Sequence, residues 1–210
     1  MRAMPSLFGA LLLCGGAAAQ PAAEMLKYAI VRKGDQIGTH VVEVRRKDAE
    51  TAVKAETQVE VKVAFFTAYQ FRQANTEKWV NGRLVALHAT TDDNGTPHKV
   101  EVTAGNQGLR IRADGKTATA APDTVPASVW NRAIVRQSTA ISLSDGTLAP
   151  VKVVDKGEET IVVQGKRVKA HRYFYVSGKF EQDLWYDEQD RLVQLRLTGS
   201  DGSDVFYRLL

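Results

Sequence analysis

The sequence predicts an all-β fold: an antiparallel meander curled into an incomplete or flattened β-barrel, with one long connection. Three observations predict it. Apolar and polar residues alternate along most of the chain, pairs such as Asn-Gly and Asp-Gly separate the alternating runs, and helical periodicity longer than two turns is absent from Gln20 onward. Because such pairs form tight hairpin turns, we expect strands that are neighbours in sequence to be neighbours in the sheet.

The clearest strand begins at Val53 and ends at Phe65. Its apolar face carries Val53, Ala55, Thr57, Val59, Val61, Val63 and Phe65, and its polar face carries Lys54, Glu56, Gln58, Glu60 and Lys62. Alternation of this length predicts a half-buried strand. Similar runs, punctuated by pairs such as Asn81-Gly82 and Asn94-Gly95, predict an N-terminal meander over 26–120 and a C-terminal meander over 148–210.

The segment 121–147 interrupts this pattern and is called the connection below. Pro122 and Pro126 exclude a central strand there, and Ser128 is a candidate cap for a short helical turn near Trp130. Each meander alone would leave long unpaired edges. We therefore expect one domain over 20–210, built as one curled sheet or two packed sheets.

Residues 1–19 have the order of a secretory signal peptide. Arg2 precedes an apolar run from Leu7 to Leu13, and Ala17 to Ala19 supply small residues for cleavage after Ala19. The prediction is export to the periplasm, with a soluble mature chain. A lipid anchor on Cys14 is the alternative, although Leu13 is larger than the residue that usually precedes a lipidated cysteine. Cys14 is the only cysteine, so cleavage leaves no thiol.

Charge and hydropathy exclude several classes of protein. The formal charge is only +4, acidic and basic residues intermingle, and the densest basic run, 45–47, is followed at once by Asp48. This is not the basic face with interleaved aromatics that binds nucleic acid. No apolar stretch after the leader is long enough for a transmembrane helix.

Motifs for catalysis and metal binding are absent from the sequence. Neither G-x-S-x-G nor S-x-x-K occurs, and the four histidines are far apart, without H-x-H or H-E-x-x-H. The acidic run 92–95 is not an EF-hand loop, because Thr103 stands where the final glutamate is required. We predict no metal, no cofactor and no catalytic residue, while an enzyme site assembled only by folding stays open.

Aromatic residues are the remaining signal. Adjacent pairs such as Phe65-Phe66 and Trp185-Tyr186 place aromatic rings on both faces of a strand. One face belongs to the core, and the other faces either solvent or a ligand cavity. A curled sheet with an apolar concave face predicts a small-molecule site. The alternative is an interior filled by its own side chains.

Five strings together resemble an uncharacterised family of exported bacterial proteins known only as a domain of unknown function. They are YAIVRKGDQIGTH, EKWVNGRLVALHATTDDNG, PASVWN, DLWYDEQDRLVQL and DGSDVFYRL. The resemblance covers nearly all of the chain after the leader and implies export and a β-rich fold. The shape is similar to incomplete, curled β-barrels of the periplasm, including lipoprotein carriers, and that analogy implies no catalytic residue.

Eight residues in or beside these strings are candidates for ligand binding: His40, Asn94, His98, Trp130, Asn131, Trp185, Tyr186 and Asp187. Each has a structural alternative. Asn94 suits a turn with positive φ, Trp130 can anchor the connection, Trp185 and Tyr186 can be core residues, and Asp187 can cap the turn 188–190. Asn131 needs hydrogen-bond partners if it is buried, and it can equally hold the connection in place.

The sequence therefore leaves three hypotheses for function. The first is a non-catalytic periplasmic protein that binds an apolar small molecule or an envelope component. The second is an envelope hydrolase whose polar residues meet only in the folded chain. The third is a structural partner of an envelope protein complex.

Overall fold

The structure, a computed structural model, describes residues 23–63, 65–178, 180–199 and 201–210. The predicted signal peptide, its cleavage site and Cys14 lie outside these residues. Fifteen strands form within them: β1 Ala23–Arg32, β2 Asp35–Lys47, β3 Glu50–Val63, β4 Phe66–Val80, β5 Arg83–Asp93, β6 Thr96–Gly105, β7 Gly108–Ala113, β8 Lys116–Ala120, β9 Val125–Pro126, β10 Thr139–Ile141, β11 Leu148–Val163, β12 Lys166–Ser177, β13 Phe180–Tyr186, β14 Leu192–Thr198 and β15 Asp204–Leu209.

The strands form one sheet in the order β8-β7-β6-β5-β4-β3-β2-β1-β15-β14-β13-β12-β11-β10-β9. Two meanders meet at the antiparallel pair β1–β15, where Tyr28 lies opposite Leu209. Every pair is antiparallel except β9–β10. Within the described chain, β8 and β9 are the two edges, so the sheet is not closed into a barrel. The predicted fold class is confirmed.

The sheet curls so that its concave face encloses one core. Val42 and Ile111 from the N-terminal half join Leu184 and Tyr186 from the C-terminal half in that core. The connection lies in the same core through its own buried residues, Val125, Ile134, Ala140 and Ile141. It fills part of the interior that a closed barrel of this size would leave open.

Tight turns set the strand register as the sequence predicts. Asn81 and Asn94 have φ of 50° and 52°, and each precedes a glycine that also has positive φ. Such two-residue turns match the twist of the strands on either side. The meander order therefore follows directly from local turn chemistry.

The connection differs from the prediction in one detail. A 3₁₀ helix spans Arg132–Arg136, and its N-cap is Asn131, whose side chain accepts a hydrogen bond from the backbone nitrogen of Ala133. Ser128 is not the cap, because Asn131 lies directly before the first helical residue and reaches its free N–H groups. Pro126 lies in β9, an edge strand, where a missing N–H is tolerated.

Candidate ligand-binding cavity

A cavity of about 410 Å³ lies between the connection and the concave face of the sheet. Strand residues from both halves line it, together with residues of the connection: His40, Val42, Ala55, Thr57, Phe71, Gln73, Asn75, Ala127, Ser128, Val129, Trp130, Ser142, Leu143, Ser144, Asp145, Thr147, Ala149, Tyr175, Ser177, Gly178, Phe180, Gln182, Leu195, Leu197 and Tyr207. This volume lies in the range of small-molecule sites, and the lining combines apolar walls with a few polar groups.

Three polar side-chain atoms of this lining are buried without a hydrogen-bond partner among the described residues. They are Ser128 Oγ, Tyr175 Oη and Gln182 Oε1. The Ser128 and Tyr175 residues are 8% and 2% exposed. Leaving such groups unpaired costs free energy, and native interiors rarely contain them. All three residues line the same cavity, so their polar atoms are available to a group that enters it.

The Tyr175 hydroxyl shows how little the protein itself offers these atoms. Burial raises its pKa, and the adjacent Ser177 hydroxyl lowers it only in part, without a hydrogen bond of normal geometry. Tyr28 is different, since its hydroxyl donates a 2.7 Å hydrogen bond to the Leu192 carbonyl. The fold therefore satisfies the Tyr28 hydroxyl and leaves the Tyr175 hydroxyl available.

His40 lies in the wall of the cavity between two tyrosine rings. Its ring centroid is 5.5 Å from that of Tyr28 and 5.8 Å from that of Tyr207. Its Nδ1 lies 2.8 Å from Thr57 Oγ1. Burial lowers the pKa of His40 to about 4, partly offset by a hydrogen bond at the Glu56 backbone. The imidazole is therefore neutral at neutral pH.

Glu77 is buried beside the cavity and fastens the connection to β4. Its carboxylate accepts hydrogen bonds from Asn75 Nδ2 at 3.0 Å, Trp79 Nε1 at 2.8 Å and Trp130 Nε1 at 3.0 Å. Burial raises the pKa of Glu77, and its three hydrogen-bond donors oppose that rise. The Ser128 hydroxyl lies close enough to lower this pKa as well, but without a hydrogen bond of normal geometry. The edge-to-face contact of Trp79 and Trp130 completes this link between strand and connection.

A second depression, of about 590 Å³, lies at the opposite end of the strands. Trp130 and Asn131 line it, together with four arginines: Arg46, Arg132, Arg136 and Arg191. The first two form ion pairs with Glu24 and Asp190, and Arg191 pairs with Asp187. Because three of the four guanidinium groups already face a carboxylate, the interior cavity is the better candidate site.

Three of the eight predicted site residues lie around the interior. His40 and Trp130 line the cavity. Tyr186 is fully buried in the core, and its hydroxyl donates a 2.8 Å hydrogen bond to the Val129 carbonyl, which belongs to the connection. Trp130 also anchors the connection through its hydrogen bond to Glu77, which is the structural role that the sequence suggested for it.

The structure does not bring the other five into the cavity. Asn131 caps the 3₁₀ helix, and Asp187 accepts hydrogen bonds from the Gln189 and Arg191 backbone nitrogens. Asn94 occupies its turn, and His98 pairs with Asp114 at 2.6 Å on the surface. Trp185 belongs to a small separate cluster with Ala170 and Val193 and stacks against the Arg172 guanidinium.

Sequence reasoning missed Glu77, Tyr175 and Gln182. The position of Glu77 could have been predicted. Asn75, Glu77 and Trp79 are spaced two residues apart on one strand, so all three side chains lie on its inward face. Tyr175 and Gln182 lie directly opposite each other on β12 and β13. Strand alternation predicts that both side chains lie on the same face of the sheet. No sequence feature shows that their polar atoms lack hydrogen-bond partners.

Neither metal ligation nor a membrane-spanning helix is found in the described part of the chain. No three side chains of His, Cys, Asp or Glu cluster there in a way that could hold a metal ion. None of its helices is long and apolar enough to cross a bilayer.

An open, curled sheet whose interior is partly filled by the connection defines the chain as a β-barrel-like protein. A crystal structure of a β-barrel-like protein of a domain of unknown function, DUF1849, from Brucella abortus has a similar fold, with a TM-score of 0.65 and 9% identity over 92% of this chain and 98% of that chain. Residues 28–210 match the model of DUF6134, a domain of unknown function, and the chain belongs to this family. The predicted resemblance is confirmed. Comparison with curated proteins gave no match.

Proposed function

We propose that this protein is an exported, periplasmic binding protein whose interior cavity takes an apolar small molecule carrying an uncharged polar group. The observation that carries the proposal is the convergence of Ser128 Oγ, Tyr175 Oη and Gln182 Oε1 on that cavity. The signal-peptide pattern of residues 1–19 supports export.

The polar atoms limit the chemistry of the ligand. Gln182 Oε1 only accepts hydrogen bonds, so the ligand must supply an N–H or O–H donor. The described lining contains one carboxylate, Asp145, and no lysine or arginine. The Ser128 and Tyr175 hydroxyls can donate to a carboxylate, but an ionised fatty acid supplies no donor for Gln182 and finds no cationic side chain in the lining. A hydroxyl- or amide-bearing lipid can both donate and accept, so it suits all three atoms.

Binding is favoured over the hydrolase alternative by the state of His40. His40 and Thr57 form a hydroxyl–imidazole pair in the cavity wall. A general base works best with a pKa near the operating pH, and burial lowers the pKa of His40 to about 4. This imidazole is a weak base for activating a hydroxyl.

The test is native mass spectrometry of the protein purified from its own cell envelope, followed by solvent extraction. We expect a bound small molecule in the wild type and in Ala52→Phe, which adds a ring on the exposed face of β3. Ala149→Phe adds the same ring inside the cavity and should lose the ligand. Equal occupancy in all three proteins, or none in the wild type, would contradict the proposal.

A second measurement tests the head-group chemistry with defined probes. The delipidated protein is titrated calorimetrically with 1-decanoylglycerol and with decanoate, which share one acyl chain. We expect the glycerol ester to bind about tenfold more tightly or better, because it supplies hydroxyl donors. Equal or tighter binding of decanoate would rule out the uncharged head group.

A further inference from the structure

The hairpin of β3 and β4 ends in two exposed aromatic side chains. Phe65 is 99% exposed and Phe66 is 78% exposed. Other turns of this sheet use residues such as Asn81-Gly82, Asn94-Gly95 and Asp114-Gly115. Those polar and glycine residues are favoured by turn geometry, and phenylalanine is not. The two phenyl rings therefore serve something other than the turn.

The strand register shows that this tip projects from the sheet. β2 pairs with β3 only as far as Val59, and β5 pairs with β4 only from Phe71 onward. Beyond those points β3 and β4 form strand pairs only with each other, from Glu60↔Gln70 to Val63↔Phe66. The β5–β6 turn still contacts β4, since the Asn94 backbone nitrogen donates to the Gln70 carbonyl and the Tyr69 hydroxyl donates to Asp93. Three residue pairs lie beyond that backbone contact, and at about 3.3 Å per residue they extend the tip by roughly 10 Å.

The tip lies at the same end of the strands as one wall of the interior cavity. Phe71, the first residue of β4 that pairs with β5, lines the cavity, and so does Gly178 in the turn that follows β12. Successive hairpins of a meander turn back at alternate ends, and the chain order and register put the β3–β4 and β12–β13 turns at one end. A surface contacted by the tip would therefore face that end of the cavity.

We propose that Phe65 and Phe66 insert into the interfacial region of a lipid bilayer. A narrow convex tip needs no preformed groove in a soft lipid phase, whereas a protein partner would have to supply one. Phenylalanine, like tryptophan and leucine, forms the apolar face of segments that lie in the membrane interface. The neighbouring Lys62 is paired with Glu60 at 2.7 Å, so the contact is apolar and depends little on anionic lipid or salt.

The test is co-sedimentation of the full mature protein with vesicles of phosphatidylethanolamine and phosphatidylglycerol, and with vesicles of phosphatidylcholine alone. We expect weak, reversible binding to both, and a fall of about tenfold or more in the partition coefficient for Phe65→Ser with Phe66→Ser. The control is Val154→Ser with Val162→Ser, which removes two exposed apolar side chains from β11 and should leave binding unchanged.

Three results would overturn this proposal: no vesicle binding by the wild type, equal binding by the serine variant, or a dimer that dissociates in that variant. The last would mean that the tip meets a second copy of the chain. Failure here is distinguishable from failure of the cavity proposal, because the serine variant keeps its whole interior and its ligand occupancy is read separately by native mass spectrometry.

Discussion

Two buried tyrosines of the interior differ in what their hydroxyl groups contact. Tyr28 donates to the Leu192 carbonyl at 2.7 Å, whereas Tyr175 has no partner within the described residues. Both are at most 2% exposed, so their phenyl rings contribute similarly to the core. We infer that the Tyr175 hydroxyl, which lies in the lining of the cavity, is available to a ligand.

Replacing each tyrosine by phenylalanine separates the two roles. Tyr28→Phe should lose about 1 kcal/mol in the free energy of unfolding, since the Leu192 carbonyl loses its donor. Tyr175→Phe should be as stable as the wild type or more stable, because it removes an unsatisfied group. Urea unfolding measures both, and native mass spectrometry should show loss of ligand only in Tyr175→Phe. A marked destabilisation by Tyr175→Phe would show that the protein itself satisfies that hydroxyl.

His40 predicts a pH dependence of stability. Its pKa is about 4 in the folded protein and 6.5 when unperturbed, so between those values the unfolded chain binds the proton more tightly. The contribution of the neutral His40 imidazole to the free energy of unfolding is complete above pH 6.5 and is lost as the pH falls toward 4. Relative to His40→Gln, the wild type should lose stability across this window in urea titrations. If the free energy of unfolding depends on pH in the same way in both proteins, the pKa of His40 is not lowered by folding.

At the scale of elements, several contacts hold the connection to the sheet, and two of them lie toward opposite ends of its sequence. Trp130, next to the 3₁₀ helix, donates to Glu77 on β4. Gly146, at its other end, packs on β7, where an added Cβ would lie 2.5 Å from Ala113 Cβ and 3.2 Å from Ile111 Cγ2. These contacts keep the connection inside the curl and give the cavity its wall.

Glu77→Ala should release the first contact. It leaves the indole N–H groups of Trp79 and Trp130 without an acceptor, at a cost of about 2–4 kcal/mol in the free energy of unfolding. Hydrogen exchange should quicken in 121–147 and stay unchanged in β12, which does not contact Glu77 through these bonds. The control is Glu56→Ala on the exposed face of β3, with little effect expected. Unchanged exchange in the connection would mean that Glu77 does not hold it.

Gly146→Ala should disturb the second contact. Gly146 and Gly165 have similar positive φ, 69° and 75°, but nothing lies within 4 Å of a Cβ added at Gly165. Alanine at positive φ therefore strains the backbone equally in both variants. Overpacking destabilises only Gly146→Ala, by about 1–3 kcal/mol more. Thermal unfolding should rank Gly146→Ala below Gly165→Ala. Equal midpoints would show that the loop is not packed against β7.

At the scale of the whole molecule, local sequence predicts the strands and their order, because alternation and turns act over a few residues. It does not predict contacts that depend on the curl. Glu77 and Trp130 are far apart in the chain, as are Tyr28 and Tyr175, and only the pairing of β1 with β15 brings the two meanders around one interior. Trp130 was predictable as an anchor, but its acceptor was not, since nothing local links a strand carboxylate to a distant indole.

We propose that the interior of this sheet holds a ligand whose polar group lies among Ser128, Tyr175 and Gln182. The most direct measurement is a crystal structure of the protein purified from its own envelope without delipidation. We predict continuous elongated density in the cavity, with an atom within hydrogen-bond distance of Tyr175 Oη and another near Gln182 Oε1. Ordered water alone bridging those atoms, or a cavity closed by its own side chains, would contradict ligand binding at this site.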